Sequence, residues 1–323
     1  MKIHVSKMPI YPITFCIPEE LVIRDIDTIL KNKKIFEAFY KPGQPYAFSN
    51  PTEYYKMYED SAFGHTKKKG GWDCFRHLEI LAKGCLPVFE NIETIPEHVM
   101  KFYPKDLMLQ ASNLYYRCKQ NNYIMTLEDK SLYDFLVRHA IKHTRKHLTT
   151  GAMAKYILNT VFGKENKNNV TSVLYLSAFD HIDFQRCLLL HGFKSLFGVK
   201  CVDVCRVGHL YQSYDVEKLH KSGAGFGFTG LLPDEYDICC NRENIAERII
   251  AKEFDVIIYG SIHRGLPYID TVLSCYPSDR IVYIDGEDCT PLFTGENHDS
   301  CCELKGFGKK GHLFIREYSG LGG

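Results

Sequence analysis

The sequence predicts an α/β protein of two domains with a helical segment between them, and three observations lead there. Past residue 170, apolar strand runs alternate with helical segments of roughly 10–15 residues, the rhythm of a parallel sheet with crossover helices. Between Pro96 and about residue 162 the apolar pattern is helical almost throughout. Between these regions lies Gly163-Lys164-Glu165-Asn166-Lys167-Asn168-Asn169, wholly polar and opened by a glycine, the clearest linker in the chain. A boundary drawn there gives a first domain over 1–163, including its C-terminal helices, and a second over 170–323; a chain of 323 residues can supply a core to each.

The elements follow in order. Residues 9–18 alternate and carry prolines at both ends, which predicts a short edge strand followed by a turn. Glu19 to Asn32 reads as a helix or turn. It contains Arg24-Asp25-Ile26-Asp27, an Asp-x-Asp string of a kind that can hold a metal; with a periodic apolar pattern around it and no buried strand before it, it reads instead as a solvated helical face. Short strands follow near Ile35 to Tyr40 and Pro45 to Phe48. Asn50 is placed as a helix N-cap, with Pro51 at the first helical position and Glu53 at the capping-box spacing. After a lysine-rich loop, an amphipathic helix runs from about Trp72 to Lys83, turning Phe75, Leu78 and Leu81-Ala82 to the core, and stops at Gly84 before a strand from Cys85 to Phe89. Helices are expected at roughly 97–102, 106–119, 127–147 and 150–162. His139, His143 and His147 share one face of the third; lysines and arginines are interleaved and no carboxylate or cysteine supports them, so the row reads as a basic solvated face rather than a metal or anion patch. Beyond the linker, strands are expected at Val173 to Ser177, Gly198 to Val204, Phe254 to Tyr259, Arg280 to Ile284 and His312 to Ile315. Helices separate them at His181 to Leu196, Asn241 to Lys252 and Pro267 to Cys275. The result is a parallel sheet of Rossmann type.

Composition narrows the class. With 45% hydrophobic and 24% charged residues the chain reads as an ordinary soluble globular protein, and a net charge of +1 implies no bulk attraction to nucleic acid or membrane, so any phosphate affinity is local. The 13 cysteines are odd in number and irregular in spacing, as expected of reduced structural thiols. With no signal-peptide apolar region and no apolar run of the ~18 residues a membrane helix needs, a cytoplasmic location is expected, the host cytoplasm if the protein is viral.

Chemistry is expected around Gly64 to Glu97. Thr66, Lys68, Lys69, Gly70, Gly71 and Trp72 surround a loop that runs into a helix N-terminus, and loop amides, lysines and helix dipole together suit a diphosphate. Arg76 and Glu79, three residues apart, share a helix edge and offer a cation beside a carboxylate able to accept from a ribose diol. The plainer alternative is a solvated lysine loop and an ordinary helix with an i,i+3 ion pair. In the second half, ligands of a parallel sheet collect at the carboxyl ends of the strands. That rule selects Asp180, His181 and Asp183, then Ser261, His263 and Arg264, then Asp285, Glu287 and Asp288. Asp180, His181 and Asp288 are the candidate general bases, with an N-cap role as the rival for Asp180. Gly223-Ala224-Gly225-Phe226-Gly227 lacks the full dinucleotide fingerprint and reads as a loop, as does the segment holding His298, Cys301 and Cys302, where adjacent cysteines fit one zinc ion poorly.

The segment Arg76-His77-Leu78-Glu79-Ile80-Leu81-Ala82-Lys83-Gly84-Cys85-Leu86-Pro87-Val88-Phe89 resembles the R-x-x-E-A-x-x-x-G-C-x-P-V signature of the nucleotide-sugar half of many GT-B-fold glycosyltransferases, including exostosin-like ones. The resemblance implies that Arg76 and neighbouring basic groups hold the donor diphosphate and that Glu79 contacts the nucleoside. It departs from the family where a second glutamate would follow, at Pro87. In the second half VLYLSAFDHIDFQRCLLLHGFKSLFG, GFGFTG, NRENIAERI, EFDVIIYGSIHRGLPYID and RIVYIDGED resemble, in that order, the acceptor-side Rossmann domain of bacterial and viral GT-B-like enzymes. His263, Arg264, Asp285 and Glu287 fall on that side. The halves then stand in circularly permuted order, with both termini meeting at the domain interface, or else the chain is a piece of a longer tandem protein. What the resemblance implies is a metal-independent glycosyltransferase with two facing Rossmann-like domains. It uses a nucleotide-diphosphate sugar as co-substrate and no other cofactor, acts on a glycan or glycosylated acceptor, and has no nucleic-acid partner. The alternatives are a non-catalytic relative that binds a glycan or a protein and, disfavoured by the incomplete glycine pattern, a nucleotide-binding oxidoreductase.

Overall fold

Two sheets, every strand pair of them parallel, carry the chain. A computed structural model describes residues 8–40, 48, 50–166, 169–178, 182–215, 225–288 and 311–318. The chain enters through β1 (Ile10–Pro12), turns into the short helix α1 (Ile26–Lys31) and reaches β2 (Ile35–Glu37). Helix α2 (Pro51–Asp60) passes without a loop into β3 (Ser61–Thr66), and α3 (Phe75–Ala82) leads to β4 (Leu86–Phe89). These three strands form the smaller sheet, in the order β2-β3-β4. Three helices follow, α4 (Lys105–Gln120), α5 (Leu127–His147) and α6 (Thr150–Asn166); residues 97–102 are turns rather than the expected helix.

The second half alternates as its pattern predicts: β5 (Val173–Leu176), α7 (Phe184–Phe197), β6 (Cys201–Val204), α8 (Glu235–Ile238), α9 (Ile245–Ile250), β7 (Val256–Tyr259), α10 (Ile269–Cys275), β8 (Ile281–Asp285) and β9 (His312–Ile315). Its sheet has six strands in the order β1-β9-β8-β7-β5-β6. The sixth comes from the other end of the chain: Ile10, Tyr11 and Pro12 pair with Leu313, Phe314 and Ile315, so the expected edge strand lies at the edge of the larger sheet. Proline is tolerated there because an edge strand leaves one row of amides unpaired. β5, β7 and β8 are buried along their whole length, as befits parallel strands covered on both faces.

Local chemistry sets the helix ends. Asn50 accepts the Glu53 amide at 2.9 Å and caps α2, while Thr126 and Asp129 close a reciprocal capping box on α5. Both acids of the Asp-x-Asp string are engaged: Asp25 caps α1 through the Thr28 amide and hydroxyl at 3.0 and 2.6 Å, and Asp27 pairs with Arg138 of α5. Helix α3 corrects the amphipathic reading, since every residue but Arg76 is buried, His77 and Glu79 included.

One apolar cluster runs from Phe63 and Leu86 of the smaller sheet, through Met108, Leu136 and Ile157 of the helical segment and Leu188 of α7, to Val173 and Ile258 of the larger sheet. Each such side chain contributes about 1.5–3 kcal/mol on burial, so the two sheets are held by a shared core. Every described cysteine is a free thiol, and among the described residues no helix is long and apolar enough to cross a membrane.

Candidate functional site

The carboxyl ends of β3, β5, β7, β8 and β9 lead into residues that line one cleft of about 430 Å³, in the size range of small-molecule sites. One wall comes from the loop after β3 and from α3: Lys69, Gly71, Asp73, Arg76 and Glu79, with Tyr54 of α2 beside them. The opposite wall carries Asp183, His263, Arg264, Glu287, Asp288 and Arg316.

On the first wall the Arg76 guanidinium lies 4.8 Å from the centre of the Tyr40 ring, touches the Tyr40 hydroxyl at 3.4 Å, and keeps a buried Nε without a hydrogen-bond partner. Among the described residues Arg76 forms no ion pair with Glu79, so the i,i+3 pair is not what holds it. Glu79 instead accepts the Tyr54 and Tyr55 hydroxyls at 2.9 and 3.0 Å. Burial pushes its carboxyl up, opposed by the Tyr54 hydrogen bond and the Arg76 charge. A carboxylate has about four acceptor positions, so both oxygens retain capacity for a ligand hydroxyl. Cys74, at the N-cap of α3, makes no side-chain hydrogen bond to the first turn and lines the cleft with Phe75 and Arg76.

The loop between β3 and α3 is fixed from below. His77 is buried, with Nε2 2.8 Å from the Trp72 carbonyl and Nδ1 2.6 Å from the Thr66 hydroxyl. A carbonyl only accepts, so Nε2 carries the proton and Nδ1 accepts from Thr66; burial holds the ring neutral, its pKa down to about 3. Four of the expected donor-loop residues are engaged within the loop and with its neighbours. Thr66 and Trp72 are tied to His77, Lys68 lies over the Trp72 ring at 5.3 Å, and Gly70 backs onto Asp288; none of them lines the cleft. Lys69, Gly71, Arg76 and Glu79 do. Close approach explains the two glycines: a Cβ on Gly70 would sit 2.4 Å from an Asp288 oxygen, and one on Gly71 2.2 Å from a Glu317 oxygen.

The opposite wall is a chain of charges. Asp183 caps α7 through the Arg186 amide at 3.0 Å, accepts the Ser261 hydroxyl at 2.7 Å and lies 3.4 Å from His263 Nε2. Glu287 approaches the same Nε2 at 2.7 Å. Burial works against a charge on His263, but the two carboxylates outweigh it and raise its pKa to about 9, so it is an imidazolium at neutral pH. Reciprocally, Asp183 is held below its ordinary range despite burial, and Glu287 is lowered first by its hydrogen bond from His263.

Arg316, at the end of β9 and only 1% exposed, joins the walls. Its Nη1 donates to the Asp73 carbonyl at 2.5 Å, its Nε to the Gly286 carbonyl at 2.9 Å and its Nη2 to Asp288, while the guanidinium covers the Phe15 ring at 4.3 Å. Asp73 also accepts the Phe15 amide at 2.6 Å and donates its own amide to Glu317 at 2.8 Å. Burial pushes the Asp73 carboxyl up to about 7, with Arg316 and the Phe15 amide opposing. Asp73 and Arg316 were missed in the sequence; the one signal available was their position, Asp73 two residues past a loop glycine pair and Arg316 directly after a strand.

Of the expected bases, Asp180 and His181 lie outside the described residues, as do His298, Cys301 and Cys302. Asp288 lines the cleft but is paired with Arg316. Asp285 sits beneath the wall, 1% exposed, accepting the Glu287 amide at 3.1 Å. Gly225, Phe226 and Gly227, read as a plain loop, also line the cleft, with Phe226 packed 5.8 Å from Tyr54. Comparison with known proteins finds no matching family model, no matching curated protein and no matching solved structure.

Proposed function

We propose that the protein transfers a glycosyl group from a nucleotide-diphosphate sugar to an acceptor hydroxyl, in a GT-B-like arrangement with permuted halves. The observation that carries this reading is Arg76: it lines the cleft between the sheets, with Glu79 one turn on and Lys69 in the adjoining loop. In this reading Lys69 and Arg76 meet the charge that develops on the leaving diphosphate, which accounts for much of the rate in such reactions and calls for no metal ion. Glu79, oriented by Tyr54 and Tyr55, takes the ribose hydroxyls. The bond from the anomeric carbon to the diphosphate oxygen breaks, the bond to the acceptor oxygen forms, and the acceptor proton passes to a base. Among the described cleft residues Asp73 fits that role, because a carboxyl titrating near neutral pH is matched to proton abstraction. His263 carries its proton already and suits hydrogen bonding to an oxyanion instead.

Purified protein incubated with a panel of nucleotide-diphosphate sugars is expected to release nucleoside diphosphate, and Arg76→Ala to cut that release by roughly 10²-fold. Thermal stabilisation by nucleotides without turnover would favour the non-catalytic relative. No release and no stabilisation with any nucleotide would sink both.

A further inference from the structure

A second cavity, of about 450 Å³, lies away from the cleft where α5 meets α6, beside the crossing at which Ile17 bridges to Thr149. Arg145, Lys146 and His147 from the last turn of α5 line it, with Lys155 from the second turn of α6, and Glu19 is the single acidic residue in its wall. Cations in a last helical turn are ordinary partners of the helix dipole, which accounts for the first three. It does not account for Lys155, which lies beyond the first turn of its own helix. Arg145 is committed to the carbonyls of Ile23 and Arg24, whereas Lys146, His147 and Lys155 form no ion pair among the described residues. His147 feels that excess: burial first, then the charges of His143 and Lys146, lower its pKa. The rings of Phe102 and Tyr156, 4.6 Å apart and edge to face, close one side.

We infer that this cavity is a binding site for a phosphate group, held by Lys146 and Lys155 with Arg145 behind them and borne on a molecule small enough to enter beside Phe102 and Tyr156. It is independent of the proposed transfer reaction, and the row of histidines on α5 ends in its wall.

The test uses the full chain carrying Arg76→Ala, which weakens phosphate binding in the main cleft. Inorganic pyrophosphate is titrated by calorimetry, and vesicles of phosphatidylcholine with phosphatidylglycerol are tested by co-sedimentation. Lys146→Glu with Lys155→Glu is expected to weaken one or both by roughly tenfold or more, and raised salt to weaken them further. Both lysines are exposed, so the double Gln variant, matched for melting temperature, serves as a second reading of charge loss. Loss of pyrophosphate binding identifies a free phosphate compound, and loss of vesicle binding alone a lipid headgroup. If neither probe binds, or both bind the lysine variants as tightly as the parent, the site is refuted.

Discussion

His263 has one ring nitrogen between two carboxylates, and its proton decides what that side of the cleft can do. Its pKa is raised to about 9 from an ordinary 6.5, so the stability it contributes is fully present below about pH 6.5 and disappears as pH rises through 9. A shift of that size corresponds to about 3 kcal/mol at neutral pH, shared with Asp183 and Glu287. His263→Gln is therefore expected to unfold at lower urea than the parent at pH 7, with the gap closing near pH 10; an equal gap at both pH values would mean the ring is not held as a cation. Asp73 shares the sign at another pH. Its raised pKa makes its contribution fully present below about pH 4 and lost as pH rises through about 7, so Asp73→Asn should flatten the stability profile between about pH 4 and 7. His263 and Glu287 were legible because they follow recognisable strands. The environment of Asp73 was not, since Arg316 reaches it from 243 residues away.

Among the elements, β3 is the one the pattern concealed. Ser61-Ala62-Phe63-Gly64-His65-Thr66 has neither alternation nor a run of branched residues, and α2 ends at Asp60 with no turn signal between. It is nonetheless the centre of the smaller sheet, paired with β2 on one side and β4 on the other. Its small residues let α3 lie close: a Cβ on Gly64 would stand 2.9 Å from Ile80 Cγ2. Gly64→Val is expected to cost about 1–3 kcal/mol in urea unfolding, as overpacking does; a loss within error of zero would show that helix and sheet separate freely. The same packing explains why α3 is not one-faced. It lies against β3, β4, α2 and α5, so residues that spacing assigns to a solvent face are covered. The strands of the second half were easier to read, because most of them, such as β5 and β7, are continuous apolar runs bounded by polar turns.

For the molecule as a whole, Arg316 is the joint between the two sides of the cleft. Truncating it leaves the Asp73 and Gly286 carbonyls without their donor and the half-exposed Asp288 without its cation, so Arg316→Ala is expected to lower stability by about 1–3 kcal/mol and to speed amide exchange in residues 67–73. Unchanged exchange in that loop would show that the sides are joined elsewhere. Arg316→Lys keeps the charge but not the fork of donors, and is expected to recover only part of the loss. The α/β class, the strand and helix sequence of the second half, the caps on α2 and the basic loop before Arg76 all follow from neighbours within a few residues, where propensity, periodicity and capping operate. The pairing of β1 with β9, the burial of α3, the protonation of His263 and Asp73, and the choice of which loop residues face the cleft do not. Each is set by groups distant in the chain that only packing brings within a few ångströms, where burial and charge act and no local pattern records them.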